Sequence, residues 1–500
     1  MMESILLGWQ TVFHPVYFMM VVLGVLIGIL FGVVPGLSGV TAISLLIPFT
    51  YAMEPLNGFL IMIAIYAASI YGGSIAAILF NIPGDAPAAM TALDGYPLAR
   101  KGQAGRALGM AAISSLVGGS ISVIAITFLA PQAAKIALSF GPPEYFALGL
   151  LGLTVVASID ANHQLKAFVS VFLGLFLATV GLDVITGVAR YTFNSTILMS
   201  GIDFVPAIIG LFALSEVFLR LHKKALRQKM PGGGKAVPRF AMPTKEDVAN
   251  VKNTWLRSSV IGTVIGFLPG AGATIAAFVG YGAAVSVSKD KESYGKGNID
   301  GVAGPEAANN AAVGGAMVPL LTLGIPGGAV TAVILSAFLI HGLQPGPLLF
   351  EQNPEIVYTL FSGMFVANIL MTLVVLVAIR YLVKVLDVPY EYLAMAIILL
   401  SLVGSFAINN RIGDVWIMFF FGLIGYMLKR YHFSLAAVVL GIVLGQIIET
   451  GLRQGLMITQ GSILGFFTRP GSGIILTLTI LALFFPLLKR LMTKREIPQD

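Results

Sequence analysis

The chain has 500 residues, of which 57% are hydrophobic and only 11% are charged, and its formal net charge is +7. Apolar runs long enough to cross a bilayer recur from end to end, and they lack the alternating pattern of a membrane β-barrel. The absence of cysteine excludes disulfides, thiolate metal sites and a thiol nucleophile. The composition therefore predicts an all-α polytopic membrane protein.

The N-terminal part of the chain is free of basic residues. Residues 1–99 contain no Lys or Arg, and the first cluster is Arg100, Lys101 and Arg106. The positive-inside rule therefore predicts that the N-terminus and the first short loops lie outside the cytoplasm. The N-terminal segment has no basic region and no small-residue cleavage site, so we expect it to be retained.

Three short motifs occur twice, in the same order. They are GVVPG (32–36) and GFLPG (266–270), Gly-Gly (72–73 and 314–315), and IPG (82–84 and 325–327). The two copies of IPG lie slightly farther apart than the two copies of the first motif, and the polar insertion SKDKESYGKG (288–297) accounts for the difference. Three motifs in one order predict two duplicated halves.

Basic residues indicate the relative orientation of these halves. The loop 81–106 after the first IPG is basic, whereas no Lys or Arg occurs between Lys296 and Arg380, the region of the second IPG. The two loops are therefore expected on opposite sides of the membrane, as in the inverted-topology repeats of secondary transporters. The predicted division is a first membrane repeat (1–221), a basic cytoplasmic linker (222–254), and a second membrane repeat with one extra C-terminal span (255–500).

The Pro-Gly motifs interrupt apolar runs and predict two re-entrant hairpins. The segment 258–288 has basic residues on both sides, and its length gives two legs of roughly 20 Å, too short to cross the bilayer twice. The predicted apex is Pro269–Gly272, and the counterpart at 16–51 has its apex at Pro35–Gly39. About 11 spans complete the map, which places the linker and the C-terminus in the cytoplasm. They are 57–80, 107–130, 143–160, 165–182, 204–221, 307–340, 357–380, 391–408, 414–428, 433–449 and 474–489.

A helix that begins inside the membrane presents free amides and a partial positive charge, so it can hold an anion without a desolvated Lys or Arg. The two apices and the two IPG breaks are therefore the predicted substrate site. The alternative is that Pro and Gly only kink the helices and permit close packing. The candidate residues are Pro35, Gly36, Ser38, Gly39, Thr41, Asn81, Pro83, Gly84, Pro269, Gly270, Gly272, Thr274, Pro326 and Gly327.

The run GPEAANNAAVGG (304–315) is unusually polar for a membrane segment. Asn309 and Asn310 offer amide oxygens for a monovalent cation, and Glu306 could neutralise its charge. The alternative is that Pro305 and Glu306 occupy the first turn of a helix, where both residue types are favoured. Asp85, beside the first IPG, is a further candidate for this cation site, although a helix-capping role is the alternative. No zinc motif, nucleotide loop or acidic pair is found, so we expect no metal beyond Na⁺ and no cofactor.

With these residues in view, the chain resembles the large membrane subunit of the tripartite tricarboxylate transporter family (TctA-like) over essentially its whole length. The motifs in order are GVVPGLSG, YGGSIAAILFNIPGDAPA, LDGYPLARKGQAGRALG, GFLPGAGATIAAF, GPEAANNAAVGG and LGIPGG. The resemblance implies a permease of the bacterial inner membrane without an ATPase subunit. It also implies two partners, a small membrane subunit and a periplasmic solute-binding protein that delivers a carboxylate.

The predicted function is secondary import of tri- or dicarboxylates such as citrate by cation symport, with Na⁺ favoured over H⁺ because titratable side chains near the breaks are scarce. The predicted partners also include membrane lipid but no nucleic acid. A passive anion channel is the alternative, and an intramembrane enzyme would need a catalytic constellation that the sequence does not show. The identity of the carboxylate and the oligomeric state are left open.

Overall fold

The computed structural model describes residues 1–159, 164–225, 242–270, 272–384 and 388–493. The first half contains α1 (Met2–Val12), α2 (Pro15–Val33), α3 (Gly39–Thr50), α4 (Pro55–Phe80), α5 (Ala88–Leu98), α6 (Ala104–Ala137), α7 (Pro142–Ile159), α8 (Gln164–Ala178), α9 (Thr196–Met199), α10 (Phe204–Ile208) and α11 (Ser215–Ala225). A two-stranded antiparallel hairpin, β1 (Gly181–Leu182) and β2 (Ala189–Arg190), follows α8. Two π-helical turns, Ala99–Gln103 and Ile209–Leu214, precede α6 and α11.

The second half contains the remaining α-helices. They are α12 (Lys245–Phe267), α13 (Gly272–Val287), α14 (Asp300–Leu323), α15 (Ala329–Ile340), α16 (Pro347–Gln352), α17 (Pro354–Lys384), α18 (Tyr390–Asn409), α19 (Ile412–Arg430), α20 (Leu435–Ile458), α21 (Gly465–Thr468) and α22 (Pro470–Thr493). A short 3₁₀ helix, Lys291–Ser293, lies between α13 and α14.

The protein is an all-α membrane protein, as its composition predicts. Within the described ranges, eight helical segments are long and apolar enough to cross a membrane, and six shorter apolar helices accompany them. The count of about 11 spans stays a prediction, because length and composition alone do not say how the shorter helices lie in the bilayer. The eight segments are Pro15–Val33, Pro55–Phe80, Ala88–Ala137, Phe204–His222, Pro354–Ala378, Tyr390–Asn409, Ile412–Arg430 and Leu435–Ile458.

The structure differs from the predicted elements in three places. The pass predicted at 307–340 is two helices, because α14 ends where Gly324 adopts a left-handed conformation and Pro326 follows. The loop predicted at 81–106 contains α5. The predicted linker 222–254 is helical at both ends, and its central part lies outside the described residues.

Glycines bring the helices of each half into the same close contacts. In the first half, Gly32 contacts Gly72, and Gly84 contacts Gly32 and Gly73. In the second half, Gly266 contacts Gly315, and Gly327 contacts Gly266 and Ala316. A Cβ on any of these glycines would overlap a neighbouring atom, so only glycine permits the crossing. Apart from Ala316, which stands where the first half has Gly73, these residues belong to the duplicated motifs, so these local contacts match between the two halves.

An ion pair joins the two halves near the start of α12. Arg106 at the start of α6 donates two hydrogen bonds to Asp247, which also forms a capping box with Thr244. The guanidinium of Arg106 is the main cause that lowers the pKa of Asp247 from 3.8 to about 2. The carboxylate therefore contributes stability at neutral pH, and this contribution is lost as the pH falls from about 4 to about 2.

We expect Asp247→Asn to lower the thermal unfolding temperature by about 2 °C at pH 7, because the ion pair with Arg106 is lost. The difference from the wild type should shrink between pH 4 and pH 2, where Asp247 of the wild type becomes protonated. Thermal unfolding of detergent-solubilised protein measures both values, and Glu246→Gln, an exposed neighbour, is the control. A difference that stays constant across this pH range would contradict the assignment.

Candidate functional site

Each half contains a helical hairpin whose apex is broken by Pro and Gly. The first apex (34–38) joins α2 to α3, and the second apex (268–272) joins α12 to α13, with Ala271 outside the described residues. Gly36 and Gly270 have φ angles of +84° and +83°, a left-handed conformation that glycine adopts without strain. The chain therefore turns at the predicted positions.

Each apex lies close to the IPG break of its own half. The backbone N–H of Gly270 donates to the carbonyl oxygen of Gly327 at 3.0 Å, while Gly84 contacts Gly32 in the turn before the first apex. The candidate substrate residues are thus gathered in two places, one in each half. A single midplane site that both apices share stays a prediction.

The remaining candidate substrate residues have various environments. Thr41 is 2% exposed, whereas Thr274 is half-buried, and Ser38 stands at the N-cap of α3 without a side-chain bond to the backbone. Asn81 is exposed and adopts a left-handed conformation (φ +56°) that ends α4, as Gly324 does for α14. Asn81 thus has a structural role in terminating a broken helix.

Three hydroxyl groups surround the buried carboxyl group of Glu306 on α14. Ser74 of α4 and Thr91 of α5 both donate to Oε1, and Ser115 of α6 donates to Oε2 at 2.9 Å. Glu306 itself is 0% exposed. Its side chain therefore holds together α14, α6 and the two helices on either side of the first IPG break.

Asn309 and Asn310 extend this polar group. The Nδ2 atom of Asn310 donates to Ser115 Oγ at 2.9 Å and to Asn309 Oδ1 at 2.7 Å. Among the described residues, Oδ1 of Asn310 and Nδ2 of Asn309 have no hydrogen-bond partner although both are buried. We call Glu306, Ser74, Thr91, Ser115, Asn309 and Asn310 the Glu306 cluster.

Asp85 lies beside this cluster. A Cβ placed on Gly73, the residue before Ser74, would lie 2.5 Å from Oδ1 of Asp85. The same carboxyl oxygen accepts a long hydrogen bond, 3.4 Å, from the N–H of Ala88 in the first turn of α5. The position of Asp85 is compatible with both the capping role and the cation role that the sequence leaves open.

The electrostatics of the Glu306 cluster differ from those of several other buried carboxyl groups. Glu144, Asp247 and Asp414 each have an arginine partner, whereas the hydrogen bonds to Glu306 come from neutral hydroxyls. An ionised carboxylate in the interior of a membrane protein is costly without a compensating cation. Such a cluster can hold a proton, or a hard monovalent cation among its hydroxyl, amide and carboxyl oxygens.

The sequence identified Glu306 and the two asparagines but not the three hydroxyl residues. Ser74, Thr91 and Ser115 lie on three different helices, all of them in the other half of the chain from Glu306. Their local signal is a hydroxyl flanked by small residues, as in GGSIAA (72–77), which is also common in packed membrane helices. Only the helix packing distinguishes these hydroxyls from others.

A cavity of about 530 Å³ lies at another part of the molecule, where α8, the β-hairpin, α10, α15 and α20 meet. Its charged lining comprises Arg190, Arg453, Glu449 and Asp203, and we call it the charged cavity. A second cavity of about 620 Å³ shares Leu339, Val443 and Thr450 with it and extends to Gly324 at the second break. The two cavities are therefore neighbours, and the second one reaches the end of α14 just before the second IPG segment.

The comparisons with known proteins agree with the motifs. The family model "Tripartite tricarboxylate transporter TctA family" matches residues 18–440. An uncharacterized 52.8 kDa protein in the TAR-I ttuC' 3' region of Agrobacterium vitis is 38% identical over 496 residues, 99% of this chain and 98% of that protein. An uncharacterized protein in the TAR-II ttuC' 3' region of the same organism is 37% identical over 235 residues, 47% of this chain and 97% of that protein. No solved structure matches the chain. The chain therefore belongs to the tripartite tricarboxylate transporter TctA family, and it is a multi-pass membrane protein.

Proposed function

We propose that this chain is the large permease subunit of a binding-protein-dependent secondary transporter that imports a tri- or dicarboxylate by cation symport. The observation that carries the coupling is the Glu306 cluster, a buried carboxyl group with neutral donors, which joins α14 to the broken helix pair α4 and α5. Binding of a cation there changes the charge at a helix break, so it can bias the position of that break.

The two hairpins are proposed to bind the substrate. Each apex lies at the N-terminus of a helix and contains small residues, which are features that suit anion binding by the backbone, and carboxylates are the anions that the family name implies. The matched glycine contacts of the two halves support duplicated repeats, and the distribution of basic residues supports their inversion. We propose that the hairpins are re-entrant and move alternately.

Coupling is required on energetic grounds. Import of a dianion against an interior-negative potential of about 100 mV costs roughly 4.6 kcal/mol, at about 2.3 kcal/mol per charge. Co-transport of cations offsets this cost, and three monovalent cations per dianion would make the cycle electrically favourable. The oxygen-rich Glu306 cluster supports Na⁺, with H⁺ as the alternative.

In the proposed orientation, the N-terminus and the charged cavity face the periplasm, and the C-terminus faces the cytoplasm, in a bacterial inner membrane. Four arginines that this map places on the periplasmic side are all ion-paired: Arg190 with Glu449, Arg411 with Asp414, Arg453 with Asp183 and Arg469 with Glu144. Arginines neutralised in this way are compatible with an outside location. The cavity is then the place where a periplasmic binding protein would release its carboxylate, beside a small membrane subunit.

Uptake into proteoliposomes tests this function. The vesicles contain this chain and its small membrane subunit, the binding protein is outside, and the probe is radiolabelled citrate. We expect accumulation that requires both the binding protein and an inward Na⁺ gradient, because the cation supplies the energy for the dianion. Equal amounts of vesicles with a Na⁺ concentration matched on both sides are the control.

Other outcomes separate the alternatives. Accumulation driven by a proton gradient, or of another carboxylate such as tartrate or a C4-dicarboxylate, would retain the symporter and change the ion or the substrate. A flux that does not depend on any ion gradient and does not saturate with substrate concentration would indicate a passive channel. Chemical conversion of the substrate would indicate an intramembrane enzyme.

A further inference from the structure

Besides the Pro-Gly, Gly-Gly and IPG motifs, another motif occurs once in each half. The sequence Glu-x-x-Leu-Arg stands at 216–220 in α11 and at 449–453 in α20, with nearly the same separation as the two Pro-Gly motifs. Each copy places Glu and Arg at positions i and i+4 of a helix, where their side chains meet. Charged residues in membrane helices are costly and usually functional, so a pair in each half needs an explanation.

Both glutamates bind a second cation as well as their own arginine. Glu216 contacts Arg220 at 3.0 Å and Lys429 at the end of α19 at 2.8 Å. Glu449 contacts Arg453 at 3.1 Å and Arg190 of the β-hairpin after α8 at 2.6 Å. The second cation comes in both cases from the opposite half of the chain.

The two motifs differ in their contact with the hairpin apices. Gly36 of the first apex lies directly against the Glu216–Arg220 pair, and a Cβ there would overlap Arg220 Nη2 and Glu216 Oε1. The nearest neighbours of Gly270 in the second apex are instead Val156 and the carbonyl oxygen of Gly152, both on α7. The first apex thus touches its Glu-x-x-Leu-Arg motif, and the second apex touches another helix.

The packing of the two hairpins shows the same difference. Each hairpin helix packs within its own half, α3 against α2 and α4 and α13 against α12 and α14. In addition, α3 packs against the π-helical turn before α11 and against α18. The side chains of Glu216 and Arg220 are 9% and 18% exposed, but those of Glu449 and Arg453 are 30% and 32% exposed and line the charged cavity. The first motif is covered and the second is open.

We propose that the two Glu-x-x-Leu-Arg motifs are the alternating gates of the transporter, each closing when the hairpin apex of its own half docks on it. The structure then shows the state in which Gly36 closes the cytoplasmic side against Glu216 and Arg220. In the opposite state, Gly270 docks on Glu449 and Arg453 and closes the cavity, while the first hairpin leaves α11. These four charged residues position the hairpins, and their assignment to the two sides of the membrane rests on the proposed function.

Single cysteines test the gates, since the chain contains none of its own. Val217 directly follows Glu216, and Thr450 directly follows Glu449. Val217 is 0% exposed, whereas Thr450 lines the charged cavity. We expect a membrane-impermeant maleimide to modify Thr450→Cys from the periplasmic side and to leave Val217→Cys unmodified from either side. The labelling needs no substrate.

Opening the gate at Glu216 and Arg220 should lower the maleimide reactivity of Thr450→Cys and raise that of Val217→Cys. In the Glu216→Gln background we expect the labelling rate of Thr450→Cys to fall at least about tenfold and Val217→Cys to react from the cytoplasmic side, because the population shifts to the opposite state. The matched variant Glu449→Gln should leave Thr450→Cys reactive. Lys429→Gln, which leaves the Glu216–Arg220 pair in place, should give the same exchange to a smaller extent and serves if Glu216→Gln does not fold.

Unchanged reactivity of both cysteines in folded Glu216→Gln and Lys429→Gln proteins would overturn the gate assignment. An equal effect of Glu216→Gln and Glu449→Gln would overturn it as well, since only a general loosening acts alike on both sides. The uptake measurement is independent of this result. Exchange of reactivity without citrate uptake would retain the gates and reject the substrate, whereas uptake without exchange would reject the gates alone.

Discussion

Replacement of Glu306 by Gln is expected to reduce concentrative uptake to less than about 1% of the wild-type rate, because a buried carboxyl group of this kind is the coupling element. The substitution preserves the volume of the side chain, and the amide oxygen still accepts from Ser74 and Thr91. The NH2 group that replaces Oε2 can donate to Ser115 Oγ instead of accepting from it, so folding should be retained. It removes the only full charge in the Glu306 cluster. A charge about 4 Å from a cation at an effective dielectric constant near 20 is worth about 4 kcal/mol, which is about a thousandfold in cation affinity.

Two serines on the interface of α6 with α14 provide a matched pair for this prediction. Both serines are on α6. Ser115 donates to the Glu306 carboxylate on α14, whereas Ser122 donates to the backbone carbonyl oxygen of Ala311, which is also on α14. We expect Ser115→Ala to raise the Na⁺ concentration for half-maximal uptake up to about tenfold, and Ser122→Ala to change it less than about twofold. Gel filtration in detergent checks that each variant is folded.

Wild-type accumulation by folded Glu306→Gln protein would contradict the assignment of the coupling site. Equal effects of the two serine substitutions would show that general packing between α6 and α14, rather than contact with the carboxylate, determines the Na⁺ dependence.

Replacement of Gly270 by Val is expected to abolish uptake while the protein remains in the membrane. A side chain at φ +83° costs about 1–2 kcal/mol, and a Cβ there would overlap Val156 of α7. The overlap displaces the apex and with it the hydrogen bond from Gly270 to Gly327, which connects the hairpin to the second IPG break. Initial uptake rates in proteoliposomes, normalised to the amount of folded protein, measure the effect.

Gly282→Val is the control for this substitution. Gly282 belongs to the same hairpin helix, α13, is exposed, and has open space around the position of a Cβ. We expect its uptake rate to stay within about twofold of the wild type, because its backbone is an ordinary helix that valine can adopt. Retention of more than half of the wild-type uptake by Gly270→Val would exclude the second apex from the substrate pathway.

The all-α membrane fold, the hairpin breaks and the candidate carboxyl group follow from local features of the sequence. A sustained apolar run predicts a span, and Pro or Gly within it predicts a break, because each unpaired backbone group in hydrocarbon has a large cost. Glu306 was identifiable for the same reason, since an acidic residue in an apolar run is expensive and rarely accidental. The sequence was less informative near helix ends, where α1, α5 and the separation of α14 from α15 depend on a few residues each.

Which residues distant in sequence contact each other is determined only by the tertiary structure. The hydroxyls of Ser74, Thr91 and Ser115 meet Glu306 because their helices cross at glycine-rich positions, and nothing in the local sequence distinguishes them from other buried hydroxyls. The two Glu-x-x-Leu-Arg motifs can be recognised as a repeat in the sequence, but the sequence does not indicate that they differ in exposure or in contact with the hairpin apices. Their difference arises from the position of each hairpin, because two nearly equivalent halves of one chain can adopt different packing when each arrangement buries a similar surface.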